Sequence, residues 1–293
     1  MAQKKLIITL HANGPSKTTN PNLAYSPKEI ADQAIECWRQ GAAVVHYHIC
    51  DPVTGAPSAD VALFAETERL IKEQCDIITF PTLGALSAPS EGRVSHILEL
   101  AKDPATKPDC IPLDVITTNL DAWNAETTTF NSLDRVYSNT TRTLMDIVDR
   151  VQAVGVKAVP MIWNVASVRV IEKFIEMGVL KEPLFCEVSV YGEPYLAFGH
   201  PATIQGLNSV LDFIPADADW RWTVSVIGAN AFGCLANTIE RGGDVAIGLH
   251  DHPYPELNFP TNAELIGRVA DMARAMGREV ATAAEAREIL GFN

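Results

Sequence analysis

Residues 26–48 read SPKEIADQAIECWRQGAAVVHYH and contain one helix followed by one buried strand. Ser26 is a good N-cap, the proline after it suits the first helical position, and Glu29 completes a capping box. Gly41 can adopt the left-handed conformation that ends a helix. The apolar run Ala43–Ile49 follows at once and predicts a strand buried on both faces, as in a parallel sheet.

This helix-and-strand pattern repeats along the whole chain. Eight nearly continuous apolar runs predict strands at Leu6–Leu10, Ala43–Ile49, Ile77–Pro81, Ile111–Ile116, Ala158–Ile162, Phe185–Tyr191, Trp222–Ile227 and Val245–Leu249. Helical patterns follow them, at about 26–41, 60–74, 91–102, 139–153, 165–178, 201–213, 230–241 and 262–276. Eight such units joined by right-handed crossovers predict an α/β fold, a (β/α)8 TIM barrel, as one domain over residues 1–293. A doubly wound open sheet is the alternative, but no GxGxxG motif follows the first strand.

Composition excludes several classes of protein. The chain has 293 residues and a formal net charge of −13, which argues against binding to nucleic acid or to an anionic membrane surface. The apolar run near the start is shorter than a signal peptide needs, and no apolar stretch is long enough to span a membrane. The six scattered cysteines form no CxxC pair, which is typical of reduced thiols, so we expect a cytoplasmic protein.

Two HxH pairs stand at predicted strand ends. His46 and His48 end the second strand, and His250 and His252 follow the eighth. Active sites of such barrels lie at these carboxyl ends, and alternate strand residues point the same way, so the imidazoles can share one metal ion. Zinc is the first choice, because it suits imidazole ligands and needs no redox partner. Hydrogen-bonded histidines without a metal are the simpler alternative. Cys50 comes two residues after His48 and therefore points to the same side of the strand as His46 and His48. It either faces the pocket or adds a ligand.

Other polar residues mark the wall of the predicted pocket. Asp251 lies between the last two histidines, where it can orient an imidazole or act as a general base. The remaining wall residues are His11, Asn13 and Gly14 after the first strand, Thr82 to Ala85 after the third, and Asp114 to Asn119 around the end of the fourth.

Several motifs together resemble one enzyme family across essentially the whole chain. The matching segments are Asn20-Pro-Asn-Leu23, Ser26-Pro-Lys-Glu-Ile30, Gly41-Ala-Ala-Val-Val-His-Tyr-His48, Asp51-Pro-Val-Thr-Gly55, Asn262-Ala-Glu-Leu265, Gly277-Arg-Glu-Val-Ala-Thr282 and Glu285-Ala-Arg-Glu-Ile-Leu-Gly291. They resemble the β-keto acid cleavage enzymes. The resemblance implies a zinc-dependent barrel, a homo-oligomer such as a tetramer, in which a β-keto acid and acetyl-CoA give acetoacetate and a new acyl-CoA. It also implies that His46 and His48 bind the zinc ion and that Asp251 is the catalytic base.

The chain departs from the family pattern around the site. His250 stands where the pattern has a zinc-binding glutamate, so the implied ligand set is His46, His48 and His250. This set is one charge more positive than two histidines and a carboxylate. Two arginines and a threonine of the pattern are replaced by Ala246, Cys50 and Pro112. The implied substrate-binding positions are Gly14, Thr82 and Ala85. Because a cation beside an aspartate can also generate hydroxide, a zinc-dependent hydrolase or lyase that uses no CoA is the alternative function. A barrel without catalytic activity is a third hypothesis.

Overall fold

A computed structural model describes residues 4–14, 19–51, 55–83 and 89–292. The strands are β1 Ile8–His11, β2 Val44–Tyr47, β3 Ile78–Pro81, β4 Cys110–Asp114, β5 Thr118–Asn119, β6 Trp123–Asn124, β7 Thr129–Phe130, β8 Val136–Tyr137, β9 Lys157–Ile162, β10 Leu184–Tyr191, β11 Trp220–Ile227 and β12 Asp244–Ile247. The helices are α1 Pro27–Gln40, α2 Val61–Lys72, α3 Ser90–Leu100, α4 Thr141–Ala153, α5 Val165–Glu176, α6 Ile204–Leu211, α7 Phe232–Glu240, α8 Asn262–Ala275 and α9 Ala283–Leu290. None of the helices in these ranges is long and apolar enough to cross a membrane.

Eight strands form one parallel sheet in the order β3-β2-β1-β12-β11-β10-β9-β4. Its two edges meet where the Asp109 amide donates to the Thr79 carbonyl at 3.2 Å and the Thr79 amide donates to Asp109 Oδ2 at 2.8 Å. The sheet therefore curls into a nearly closed barrel with the helices outside it. The predicted (β/α)8 fold and all eight predicted strands are confirmed.

The local signals read from residues 26–48 act as predicted. Ser26 and Glu29 form both halves of a capping box at the start of α1, and Gly41 ends the helix with φ = 112°. Every residue of β2 is buried, because the barrel interior covers one face and the helices cover the other.

One glycine sets how closely two strands approach beside the histidines. A Cβ on Gly248 would lie 1.9 Å from the His11 carbonyl oxygen, so no larger residue fits there. The bare backbone lets the end of β12 pack directly on the end of β1. The His250 amide then donates to the same His11 carbonyl at 3.2 Å.

Two features go beyond the predicted pattern. The segment between β4 and α4 carries two antiparallel ladders, β5 with β8 and β6 with β7. Two-residue strands are too short to leave a periodic signal in the sequence. The helix α9 follows the eighth unit, and its Arg287 donates to both carboxylate oxygens of Asp109 at 2.8 and 3.0 Å. This helix therefore braces the closing seam of the barrel.

The amino-terminal end of the barrel contains a buried ion cluster. Asp244 is fully buried and accepts hydrogen bonds from Arg221, from Arg278 and from the Ile7 amide. Arg278 is itself only 1% exposed. Because this end of a TIM barrel is the one opposite the catalytic loops, we assign the cluster to stability.

Candidate active site

Four histidine rings meet at the carboxyl ends of β1, β2 and β12. The ring of His11 lies 5.3 Å from that of His46 and 5.5 Å from that of His250, measured between centroids. His48 stacks on His250 at 5.1 Å with an interplanar angle of 15°. His46, His48 and His250 therefore converge as predicted. The ring of His11, which the sequence placed only in the pocket wall, joins them.

The two histidines of β2 point their Nε2 atoms at each other, 3.1 Å apart. His46 Nδ1 lies 2.7 Å from the Phe80 carbonyl oxygen, which can only accept, so Nδ1 carries the proton and Nε2 is left with its lone pair. This is the arrangement by which a second partner orients an imidazole toward a metal ion. Burial lowers the pKa of both rings well below the usual value, and the neighbouring histidines lower it further, so both are neutral, as metal ligands must be.

Asp251 joins two of the rings. Its Oδ1 accepts from His11 Nδ1 and from His250 Nδ1, each at 2.8 Å, while Oδ2 is buried and has no hydrogen-bond partner among the described residues. Because Nδ1 of His250 donates to a carboxylate, its Nε2 is free to act as a ligand. Asp251 thus orients His250, one of the two roles that the sequence left open.

The charges of this group depend on one another. Burial raises the pKa of Asp251, but the charge of His11 and the hydrogen bonds from His11 and His250 outweigh burial and hold it at about 2. Burial lowers the pKa of His11, yet Asp251 and Glu187 together raise it well above its usual range. An imidazolium between two carboxylates therefore lies beside the neutral pair His46 and His48.

Two asparagines hold the backbone around the rings. Asn13 accepts from the His48 amide at 2.9 Å and donates to the His48 carbonyl at 2.9 Å. Asn262, the first residue of α8, accepts from the Leu249 amide at 2.9 Å and donates to the Ala12 carbonyl at 2.8 Å. Backbone positions on β1, β2 and β12 are thus tied to one another.

The residues present fit a bound cation. The orphaned Asp251 Oδ2 and the Nε2 atoms of His46 and His250 are donor atoms of the kind that a divalent ion uses. Among the described residues, the three that offer ligand atoms within 4.8 Å of one another are His11, His250 and Asp251. This His–His–Asp group shares only His250 with the predicted trio, so the ligand roles of His46 and His48 stay predictions.

The other predicted residues lie around this cluster. Gly14 packs on the edge of His250, because a Cβ there would be 2.7 Å from its Cδ2 atom. Thr82 follows β3 and is 8% exposed, whereas Ala85 lies outside the described residues.

Cys50 and His252 were the other candidates for the pocket. Burial raises the pKa of the Cys50 thiol to about 11, and its Sγ contacts the Gly14 carbonyl at 3.6 Å. His252 pairs with the exposed Glu256 instead of joining the rings.

Glu187 is a buried charged residue beside the rings that the sequence did not single out. It lies inside β10, is fully buried, and places Oε2 3.4 Å from His11 Nε2. A charged residue in the middle of the apolar run Phe185–Tyr191 was the available signal. Burying a carboxylate costs free energy unless it is paired, so such a residue inside a barrel strand indicates a role.

Comparisons with known proteins identify the family of this chain. A family model described as beta-keto acid cleavage enzyme matches residues 5–292. The 3-keto-5-aminohexanoate cleavage enzyme of Acetoanaerobium sticklandii is 30% identical over 298 residues, covering 99% of each chain. A 3-dehydrocarnitine:acetyl-CoA trimethylamine transferase of Rhizobium meliloti is 25% identical, covering 98% of this chain and 96% of that one.

A solved structure shows the same architecture. ObcA in a binary complex with oxaloacetate superposes with a TM-score of 0.74 at 15% identity, covering 92% of this chain and 67% of that chain. At this identity the likeness concerns the barrel alone. The family model matches nearly the whole length, and a relative is 30% identical over 99% of the chain. As its motifs indicated, the chain therefore belongs to the β-keto acid cleavage enzyme family.

Proposed function

We propose that this protein is a zinc-dependent enzyme that exchanges acyl groups between a β-keto acid and acetyl-CoA, producing acetoacetate and a new acyl-CoA. Membership of the family and the activities for which its relatives are named support the reaction type. The observation that carries the proposal is the buried, ionised Asp251 whose free Oδ2 lies beside a cluster of histidine rings at the carboxyl edge of the barrel.

We propose that His46, His48 and His250 hold the metal ion. The neutral rings of His46 and His48 and the free Nε2 of His250 support this assignment. A zinc ion held there supplies Lewis acidity, which stabilises negative charge on the keto oxygen of the substrate and makes its α-proton more acidic. The positions that we propose for substrate contact are Gly14, Thr82 and Ala85.

Asp251 moves the proton. Its Oδ2 takes the α-proton while the C–H electron pair passes into the substrate, whose α-carbon then displaces CoA thiolate from acetyl-CoA. After that thiolate has attacked the original keto carbon and the carbon–carbon bond has broken, Asp251 returns the proton to the acetoacetate carbanion. A carboxylate with a pKa of about 2 is a weak base, so this transfer depends on the acidified substrate. His11 and His250 keep Oδ2 free by binding Oδ1.

The experiment is a screen of β-keto acids with metal-loaded protein and acetyl-CoA labelled in its acetyl group. We expect labelled acetoacetate from at least one substrate, and none from Asp251→Asn. Turnover of a carbonyl or lactone substrate without acetyl-CoA would instead support the hydrolase or lyase. Silence across a broad screen, with metal bound and the protein folded, would rule out the proposed exchange.

We further propose that the chain is one domain and works in the cytoplasm as a homo-oligomer, such as a tetramer. The barrel draws strands from β1 to β12, which supports a single unit. The free cysteines Cys37, Cys50, Cys75, Cys110, Cys186 and Cys234 are consistent with a reducing compartment. Gel filtration with light scattering measures the oligomeric state.

A further inference from the structure

His11 lies between two carboxylates, one just after β12 and the other inside β10. Its Nδ1 atom is 2.8 Å from Asp251 Oδ1 and its Nε2 atom is 3.4 Å from Glu187 Oε2. The ring is 2% exposed, so water does not compete for either nitrogen. The ring therefore bridges the turn after β12 and the interior of β10 from its own place at the end of β1.

Glu187 has no other role visible in the fold. Both of its carboxylate oxygens are buried, and neither has a hydrogen-bond partner among the described residues. Two residues further along the same strand, Ser189 satisfies its hydroxyl with Ser225 at 2.9 Å, as a structural polar pair does. A buried carboxylate that is ion-paired with His11 but accepts no hydrogen bond from the described residues costs stability, which indicates that it is retained for what it does to His11.

Asp251 needs such an anchor. Its Oδ1 already binds His250 at 2.8 Å, and rotation of the carboxyl group would exchange Oδ1 with Oδ2. His11 is a second donor to Oδ1, and Glu187 holds the other nitrogen of its ring. This prevents the rotation and keeps Oδ2 directed at the reacting atoms. Positioning of this kind matters because catalytic groups must be held within about 0.5 Å of the productive geometry.

We propose that His11 is a positioning residue for Asp251 and that Glu187 acts only through His11. The inference rests on the proposed function, because Asp251 is there the group that moves the proton. It assigns a task to two residues that the metal and substrate contacts leave unused. Neither residue needs to touch the substrate or the metal ion to perform it.

A double-mutant cycle with metal-loaded protein tests the proposal. We expect Glu187→Gln and His11→Asn each to lower kcat by about 10- to 100-fold with KM little changed, the range seen when a partner that orients a ligand is removed. In the His11→Asn background, Glu187→Gln should cause no further loss, since its link to Asp251 is already broken. Ser225→Ala is the matched control inside the same barrel and should keep kcat. Additive losses, or a changed KM alone, would overturn the proposal.

A spectroscopic measurement separates this inference from the proposed function. In metal-loaded protein labelled with ¹⁵N-histidine, Glu187→Gln should shift the Nε2 resonance of His11 and Asp251→Asn should shift its Nδ1 resonance. Ser225→Ala should shift neither. If Glu187→Gln leaves His11 unchanged, the positioning role is wrong, whatever the activity. If the shifts occur but no β-keto acid is turned over, the positioning geometry stands and the proposed function fails.

Discussion

Replacing Asp251 by asparagine is the most informative single change. The amide oxygen can still accept from His11 and His250, whose Nδ1 atoms both lie 2.8 Å from Oδ1 in the native protein. The amide nitrogen then takes the place of Oδ2, which is buried and has no partner among the described residues. The substitution therefore keeps the shape of the site and removes its negative charge.

The effect on stability follows from the pKa of the carboxyl group. It lies at about 2 in the folded protein against an ordinary 3.8, so the charged form is favoured in the fold. The difference of about 1.8 pKa units corresponds to about 2.5 kcal/mol, since one unit is about 1.4 kcal/mol. For a chain of this length that is about 3–4 °C in Tm. Metal-free Asp251→Asn should lose this amount near pH 6.

The pH dependence has a defined sign. A depressed carboxyl pKa contributes stability that is complete above the unfolded value, near pH 4, and is lost as the pH falls toward 2. The difference in Tm between native protein and Asp251→Asn should therefore shrink on acidification below pH 4. Glu176→Gln, which removes an exposed partner of Lys173, is the control and should change Tm by less than about 1 °C.

Catalysis and metal content complete the assay. We expect Asp251→Asn to bind metal like the native protein and to lose about 10²- to 10⁴-fold in kcat, the contribution of a general base. Loss of the metal would refute the reasoning and assign Asp251 to the ligands, as its place in the His11, His250 and Asp251 group permits. A kcat within about threefold of the native value would refute its role as base, because a general base contributes far more than that.

Four further changes test the remaining assignments. His48→Ala should lose metal and activity together, as metal analysis would detect, whereas His200→Gln in the loop before α6 should retain both. His250→Glu should keep the metal ion but make it less acidic and lower kcat; unchanged metal affinity and rate would contradict the charge argument. Gly14→Ala should weaken metal binding about 10-fold or more, because the added methyl group would lie 2.7 Å from His250 Cδ2 and displace that ring. Native metal affinity in a titration would show that the ring accommodates the methyl group. Asp244→Asn should cost about 3–5 kcal/mol, or about 5–8 °C in Tm by calorimetry, because it leaves the buried Arg278 and the partly buried Arg221 uncompensated. A loss below about 1 kcal/mol would contradict that interpretation.

Most of the fold could be predicted because its signals are local. A capping box at Ser26, a left-handed glycine at Gly41 and a nearly continuous apolar run after it each act over a few residues, and the structure confirms all three. The segment between β4 and α4 could not be predicted in this way. Its strands are two residues long and are stabilised by pairing across the chain.

The sequence by itself determined that His46 and His48 end a barrel strand with both rings on one side, since alternate residues of a strand share one face. His250 and His252 instead follow β12 in a turn, and only His250 joins the rings. Only the tertiary structure decided which side chains meet. His11 reaches Asp251 across 240 residues of chain, and Glu187 reaches His11 from inside another strand. No local pattern encodes a contact between side chains so far apart, because it depends on how the closed barrel brings the ends of β1, β10 and β12 together. The ionised, oriented state of Asp251 arises from that closure and from the exclusion of water around it.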